Sequence, residues 1–326
     1  MIQVAGLGAS GSYLFRRLAD AGFDVTGYDP KKPDFYIPCG YAVNIEKLGE
    51  LSRNVNLDAG DYIEATADTV TFASDSGVRV ELPAKGFATI DKNHLERDIL
   101  GELKFERKMA PTAAVNDYIL VDATGISRHY LGKAHGDLQM RTKEYLTDTS
   151  PGKGFHFRYF PSGRGYYWEF PLKNGFHIGA GGDTIDIVSD SLKGIKGAKR
   201  VMSRNIRLSP LFDQASSGNV IGVGEAIGTV SPITGEGIVP SMESAEILFN
   251  CISRYDDLET LKVSYGAEIK KKFRRYEKLF VLLGNARQGK LKKLGNLSAV
   301  LSAREDFQNF GIQLEILKVL RQLAKN

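Results

Sequence analysis

Cysteine is scarce in this chain: there are 2, Cys39 and Cys251, far apart and without C-x-x-C or Cys/His ligand spacing. That argues against a disulfide framework or a structural zinc site. Long apolar runs are missing too. No stretch approaches the ~18 residues of a spanning helix, yet 42% of the residues are hydrophobic, enough to build buried cores in 326 residues. An excess of one charge sign is also lacking, since 43 basic against 39 acidic residues leave +4. No recognition motif accompanies the basic residues, so a nucleic-acid partner is not expected. The 5 histidines, His94, His129, His135, His156 and His177, form no ligand pattern. They read as structural or surface residues, and no metal is expected. Neither an internal repeat nor a low-complexity linker interrupts the chain. The first strand is expected at residue 2, which leaves no room for a signal core, and the cytoplasm is the expected compartment.

What the chain has is an opening motif. Ile2-Gln3-Val4-Ala5 runs straight into Gly6-Leu7-Gly8-Ala9-Ser10-Gly11, then a helix expected from Tyr13 to Ala21, then Val25 to Asp29. Strand, G-x-G-x-x-G turn, helix and a closing acid are the parts of a dinucleotide site. Glycines admit the pyrophosphate to the backbone, the helix N-terminus faces it with free N–H groups, and Asp29 accepts from the adenosine ribose.

The pattern then changes several times. Asp34 to Gly40 reads as a Pro- and Gly-punctuated loop near the cofactor. Tyr62 to Leu82 alternates around a turn at Asp75-Ser76-Gly77 and reads as a hairpin in a small inserted sheet. Asp91 is a candidate N-cap for a helix from Lys92 to Leu103. Tyr118 to Gly125 is a buried strand ending in a tight turn. From Gly154 to Gly182 aromatic strands with turns form an antiparallel meander. Asn219 to Gly228 is another apolar strand entering a Gly-rich turn, and Pro240 to Ser253, Asp257 to Leu283 and Phe307 to Leu323 read as helices. Two late basic clusters, Lys270 to Arg275 and Lys290 to Lys293, read either as solvated helix faces or as contacts for anionic headgroups.

Taken in order, these pieces resemble a flavoprotein of the glutathione-reductase-like fold, and more narrowly the geranylgeranyl reductase family. The resemblance implies an α/β fold: a Rossmann-like three-layer FAD-binding domain over 1–130 and 215–255, an antiparallel substrate domain over 131–214 and a short helical C-terminal region over 256–326. It implies FAD as cofactor. Gly6, Gly8, Ala9, Ser10, Gly11 and Asp29 would hold its ADP half, and Pro38, Cys39 and Gly40 would lie near the isoalloxazine. Lys92 stands where the family has arginine, which keeps a phosphate charge contact without the bidentate fork. Thr124 and Gly125 belong to the Val-Asp-Ala-Thr-Gly turn that passes the cofactor. Gly224-Glu225 replaces the usual Gly-Asp, one methylene longer. Pro232, Gly235, Glu236, Gly237 and Ile238 match the Pro-x-x-Gly-x-Gly-Ile turn, whose helix N-terminus faces the flavin.

Most specific to the narrower family is Tyr-x-Trp-x-Phe-Pro, present as Tyr166 to Pro171. Alone, such a run reads as a strand burying rings in a core. Beside the flavin motifs, Tyr166, Trp168, Phe170 and Pro171 read as a wall against a prenyl chain. The implied reaction is reduction of carbon–carbon double bonds in isoprenoid lipid precursors by hydride from N5 of reduced flavin. Cys39 and Tyr166 are the candidate catalytic proton donors, beside an ordered water or the flavin itself. The electron donor stays open between NAD(P)H and a ferredoxin-like carrier. A lipid substrate makes peripheral contact with the inner face of the cell membrane an expectation. An FAD-dependent hydroxylase or other oxidoreductase of this fold, and a non-catalytic prenyl-lipid carrier, are the alternatives.

Overall fold

The structure is a computed structural model and describes residues 1–32, 35–37, 39–111, 118–149, 152, 154–290 and 297–315. A five-stranded sheet forms its first layer, in the order β14-β15-β8-β1-β2. These strands are β1 (Ile2–Ala5), β2 (Val25–Tyr28), β8 (Ile119–Asp122), β14 (Ser216–Ser217) and β15 (Val220–Gly222). β1 pairs in parallel with both β2 and β8, and β15 pairs in parallel with β8. Short apolar runs buried on both faces make such strands. Helix α1 (Ala9–Asp20) returns the chain from β1 to β2.

A three-stranded sheet, β3 (Ala42–Asn44), β7 (Phe87–Ile90) and β4 (Ile63–Thr66), lies on the chain between β2 and β8 together with helices α2 (Ile45–Arg53) and α3 (Lys92–Leu100). The expected N-cap of α3 is in place, with Asp91 accepting from the His94 backbone N–H at 2.9 Å. The third sheet has seven strands in the order β13-β9-β12-β11-β10-β5-β6. They are β5 (Thr69–Ser74), β6 (Arg79–Pro83), β9 (Gln139–Thr147), β10 (His156–Tyr159), β11 (Gly165–Leu172), β12 (Gly175–Gly182) and β13 (Ala198–Arg207), and α4 (Ile185–Ser191) packs against it. Helices α5 (Ile238–Ile252), α6 (Leu258–Arg287) and α7 (Leu297–Asn309) complete the fold.

Two expectations are corrected here. The hairpin around Asp75-Ser76-Gly77 forms as β5 and β6, but it extends the seven-stranded sheet instead of making a small sheet of its own, because β5 pairs in parallel with β10. Phe72 of β5 stacks on Phe157 of β10 with ring centroids 5.2 Å apart, which fixes that register. The last helix does not run on from Phe307: α7 ends at Asn309, and Gly311 takes φ +88°. Phe310 and Ile312 then turn into the aromatic core of the seven-stranded sheet, where Ile312 bridges Ala84. Residues 316–323 of that expected helix lie outside the described residues.

Candidate active site

The carboxyl end of β1 opens onto a cavity of about 650 Å³, bordered by the first turn of α1, the turn before α5 and one face of the seven-stranded sheet. In an open parallel sheet, ligands bind where the strand order reverses, and here β2 flanks β1 on one side and β8 on the other. Gly6 bends back with φ +89°. A Cβ at Gly11 would overlap the Gly6 carbonyl oxygen, so only glycine lets α1 start this close to the turn. Gly8 is the residue just before α1 and Gly237 the one just before α5, and neither N-terminus carries a side-chain cap or an acid in its first turn. Their first N–H groups are left for a ligand, and the two positive helix ends border one cavity. Arg17 of α1 holds them in register by donating Nε and Nη2 to the Glu246 carboxylate of α5 at 2.9 and 3.0 Å, a bidentate pair.

Of the residues read from the sequence, Gly6, Gly8, Ala9, Ser10, Asp29, Cys39, Gly40, Lys92, Thr124, Gly125, Glu225, Gly235, Glu236, Gly237 and Ile238 all line this cavity, as do Tyr166, Trp168 and Phe170. Gly11, Gly224, Pro232 and Pro171 do not line it. Gly11 acts through the turn. The Pro171 carbonyl accepts from Thr89 Oγ1 at 2.6 Å. Pro38 lies outside the described residues. Asp29 accepts from the backbone N–H of Leu7 at 2.8 Å and of Lys31 at 2.9 Å and pairs with the Lys31 ammonium at 3.1 Å, so it braces the glycine turn and retains a lone pair for a ribose. Lys92 faces the cavity with its ammonium 2.5 Å from Glu96 Oε1, so its charge is already paired.

Glu225 shows what the extra methylene does. Its Oε2 forms an ion pair with Arg204 of β13, and its Oε1 accepts from the Arg207 backbone N–H at 3.0 Å. Arg207, with a side chain 2% exposed, donates to the carbonyls of Gly125 and Ile126 on one cavity-lining turn and of Glu225 on the other, and pairs with Asp137. It ties both turns to the seven-stranded sheet. Neither arginine was singled out from the sequence. The segment Ala198–Arg207 is too rich in charged and polar residues to alternate cleanly, and the partners come from distant segments.

On the opposite wall Tyr166, Trp168 and Phe170 project from one face of β11, as alternation requires. Trp168 lies over Gly179 of the neighbouring strand, where any side chain would collide with the indole. The Tyr166 hydroxyl donates to the Thr234 carbonyl at 3.3 Å, and burial pushes its phenol up. Burial also pushes the Cys39 thiol up; Glu144 reinforces that, while Lys92, the Tyr41 backbone and Arg204 oppose it. Glu236 is buried, and burial, then the charges of Asp306 and Glu243, raise its carboxyl well above the usual range.

The late basic cluster is largely satisfied within the chain. Lys270 pairs with Asp213, Lys272 with Glu243, and the buried Arg275 with Asp306. Of the second cluster, 291–293 lie outside the described residues. Among the described residues, no group of three His, Cys, Asp or Glu side chains is placed to hold a metal, and no helix is long and apolar enough to cross a membrane.

The residues present fit FAD. Two uncapped helix ends suit a pyrophosphate, Asp29 suits a ribose, and two polar atoms at the cavity, Glu236 Oε1 and Trp168 Nε1, are buried without a hydrogen-bond partner among the described residues.

No protein-family model matches this chain, and no curated protein matches it. Solved structures do. A geranylgeranyl bacteriochlorophyll reductase-like protein from Thermoplasma acidophilum superposes with TM-score 0.70 over 99% of this chain and 95% of its own, at 15% identity. The probable FAD-dependent monooxygenase PqsL from Pseudomonas aeruginosa gives TM-score 0.65 over 88% of this chain and 96% of its own, also at 15% identity. A flavin-dependent brominase gives 0.68 over 95% and 92%, at 13% identity. The chain therefore has the α/β fold of FAD-dependent oxidoreductases, and the resemblance read from the sequence has a counterpart in three dimensions. The monooxygenase is described as FAD-dependent and the brominase as flavin-dependent.

Proposed function

We propose that this protein reduces carbon–carbon double bonds in the isoprenoid chains of lipids. The observation that carries the reading is the wall of Tyr166, Trp168 and Phe170, joined by Phe310, Val230 and Ile206, in the same cavity as the uncapped starts of α1 and α5. A polar dinucleotide end and an apolar reacting end meet there.

Bound FAD, once reduced, supplies the hydride for such a reaction. The chain's own residues orient and seal. The aromatic wall lies against an apolar chain and excludes water, which holds an unactivated alkene in register. Cys39 and Tyr166 keep their protons at neutral pH because burial disfavours thiolate and phenolate. The Tyr166 proton is directed at the Thr234 carbonyl, so Cys39 Sγ is the freer donor. Lys271 and Arg274, which form no ion pair among the described residues, are the residues of the first basic cluster that would meet anionic headgroups. Vesicle co-sedimentation at low salt tests that contact; equal, negligible binding to neutral and anionic vesicles would remove it.

The deciding experiment is the visible spectrum of the protein loaded with FAD, reduced anaerobically with dithionite, then mixed with a geranylgeranylated lipid. Flavin bands that return only with the lipid, together with a saturated product, support the proposal. Bands that ignore the lipid refute it. A second reading, hydroxylation, is favoured by the similarity to the monooxygenase. Oxygen uptake coupled to an oxidised product would select it. Prenyl binding without any uptake of FAD would select a carrier.

A further inference from the structure

The turn before α5 is held from outside by α7, a helix that the reading above does not use. Within the turn the Ser231 N–H donates to the Glu236 carbonyl at 2.8 Å, the Gly235 N–H to the Ser231 carbonyl at 3.1 Å, and the Glu236 N–H to Thr234 Oγ1 at 3.3 Å. The N–H groups of Ile233 and Thr234 both donate to Ser231 Oγ, at 3.3 and 3.1 Å. Pro232 has no N–H to place. The first N–H groups without a partner among the described residues are therefore those of Gly237 and Ile238, at the start of α5 in the cavity wall. On its other side the turn is tied to the seven-stranded sheet, where the Tyr159 hydroxyl donates to the Ile233 carbonyl at 3.1 Å and Tyr166 holds that of Thr234.

A serine hydroxyl has one hydrogen and two lone pairs. With both lone pairs taken by the turn, the hydrogen must leave it, and Ser231 Oγ donates to Asp306 Oδ2 of α7 at 2.6 Å. Ser231 is 0% and Asp306 2% exposed, so water does not take over either role. Arg275 of α6 donates Nε to Asp306 Oδ1 at 3.2 Å. Burial lifts the Asp306 carboxyl above its ordinary value while Ser231 and Arg275 hold it down, and a donor on each oxygen is the pattern of a carboxylate. One helical turn on, the Phe310 N–H donates to the Asp306 carbonyl at 3.0 Å, and the Phe310 ring lines the cavity. We infer that Asp306 is a positioning residue for the cofactor: by fixing the Ser231 hydroxyl it sets the turn so that the N–H groups of Gly237 and Ile238 meet FAD, which makes α7 part of the cofactor site. The turn motif legible in the sequence begins at Pro232 and includes neither partner, and the two lie 75 positions apart.

This inference rests on FAD occupying the cavity and is independent of the substrate reduced, so its test needs no turnover. FAD dissociation constants are measured by titration of flavin fluorescence, beside the urea midpoint of the flavin-free protein. Asp306→Asn is nearly isosteric but reverses one polarity: a guanidinium only donates, so Arg275 keeps the amide oxygen and the NH2 group turns to Ser231. The hydroxyl must then accept that hydrogen on a lone pair that the turn uses. Ser231→Ala removes the acceptor altogether. Each is expected to weaken FAD binding about tenfold or more, the scale of one lost hydrogen bond with its partner left buried. The double variant is expected to bind FAD no more weakly than Ser231→Ala, because both changes act through one hydroxyl. A lowered urea midpoint with an unchanged dissociation constant would mean that the pair only holds α7, and would overturn the inference, as would losses that multiply in the double variant. If Asp306→Asn does not fold, Ser231→Ala decides alone: unchanged FAD binding overturns the inference. No uptake of FAD by the unaltered protein would overturn both the cofactor and the inference. Failure of the lipid to reoxidise flavin would strike the proposed reaction and leave these dissociation constants intact.

Discussion

Glu236 shows how much one side chain in a recognisable motif depends on its surroundings. Its place in the Pro-x-x-Gly-x-Gly-Ile turn is plain from the sequence, but its protonation is not. In the fold its carboxyl is 6% exposed and held above its usual range, chiefly by burial, then by Asp306 and Glu243, against Arg275 and Lys47. Above about pH 4.3 the unfolded chain releases this proton while the folded chain keeps it, so the group's contribution to stability falls as pH rises. Glu236→Gln is therefore expected to raise the Tm of the flavin-free protein at pH 8 by more than at pH 5, as read by thermal unfolding followed by circular dichroism. An equal gain at both pH values would contradict a neutral buried acid. Glu225 teaches a related lesson: the longer side chain is visible in the sequence, while the arginine that it meets is supplied by a strand about twenty residues earlier in the chain.

At the scale of elements, the site depends on two helix starts and one arginine clamp. Helix α1 approaches its own turn so closely that Gly11 leaves no room for a Cβ. Gly11→Ala is expected to displace the first turn of α1 and weaken FAD binding at least tenfold, as measured by titration of flavin fluorescence. Arg207 joins the turns at Gly125 and Glu225 and faces Asp137. Arg207→Met leaves that carboxylate and several carbonyls without their donor, at an expected cost of about 3 kcal/mol, to be read from urea unfolding. An unchanged urea midpoint would show that the clamp is not needed. The helices and the meander are legible because their periodicity is strong. β9 and β13 were included in the antiparallel region but not singled out, since their charged and polar residues blur the alternation. On β9, Met140, Thr142 and Glu144 are buried while Gln139 and Arg141 are exposed, so the acid at Glu144 is the one departure in an otherwise uncharged inner face.

At the scale of the whole molecule, three sheets and two helix starts converge on one cavity, and the tryptophan is its built-in reporter. Trp168 is the only tryptophan of the chain, 7% exposed, and it lines that cavity. FAD binding is expected to quench its emission in step with flavin uptake, and unchanged emission at saturation would place FAD elsewhere. By mass action, free FAD at a hundred times its Kd should stabilise the fold by about 2.7 kcal/mol, and the same FAD concentration should stabilise Gly11→Ala by about 1.4 kcal/mol or less. The segment after α7 belongs to the same closure: Phe310 lines the cavity and Ile312 bridges the rim of the seven-stranded sheet.

The parts whose chemistry is local are legible in the sequence. The glycine turns, the acid after β2, the N-cap of α3 and the single aromatic face of β11 follow from spacing and backbone geometry within a few residues. Which distant groups meet is settled by packing: Arg204 with Glu225, Arg207 with Asp137, His177 with Glu144 under Cys39, and the hairpin of β5 and β6 with β10. Those outcomes depend on sheet register and on burial. A residue's own neighbours in sequence do not report either, because both arise when strands far apart in the chain pack face to face.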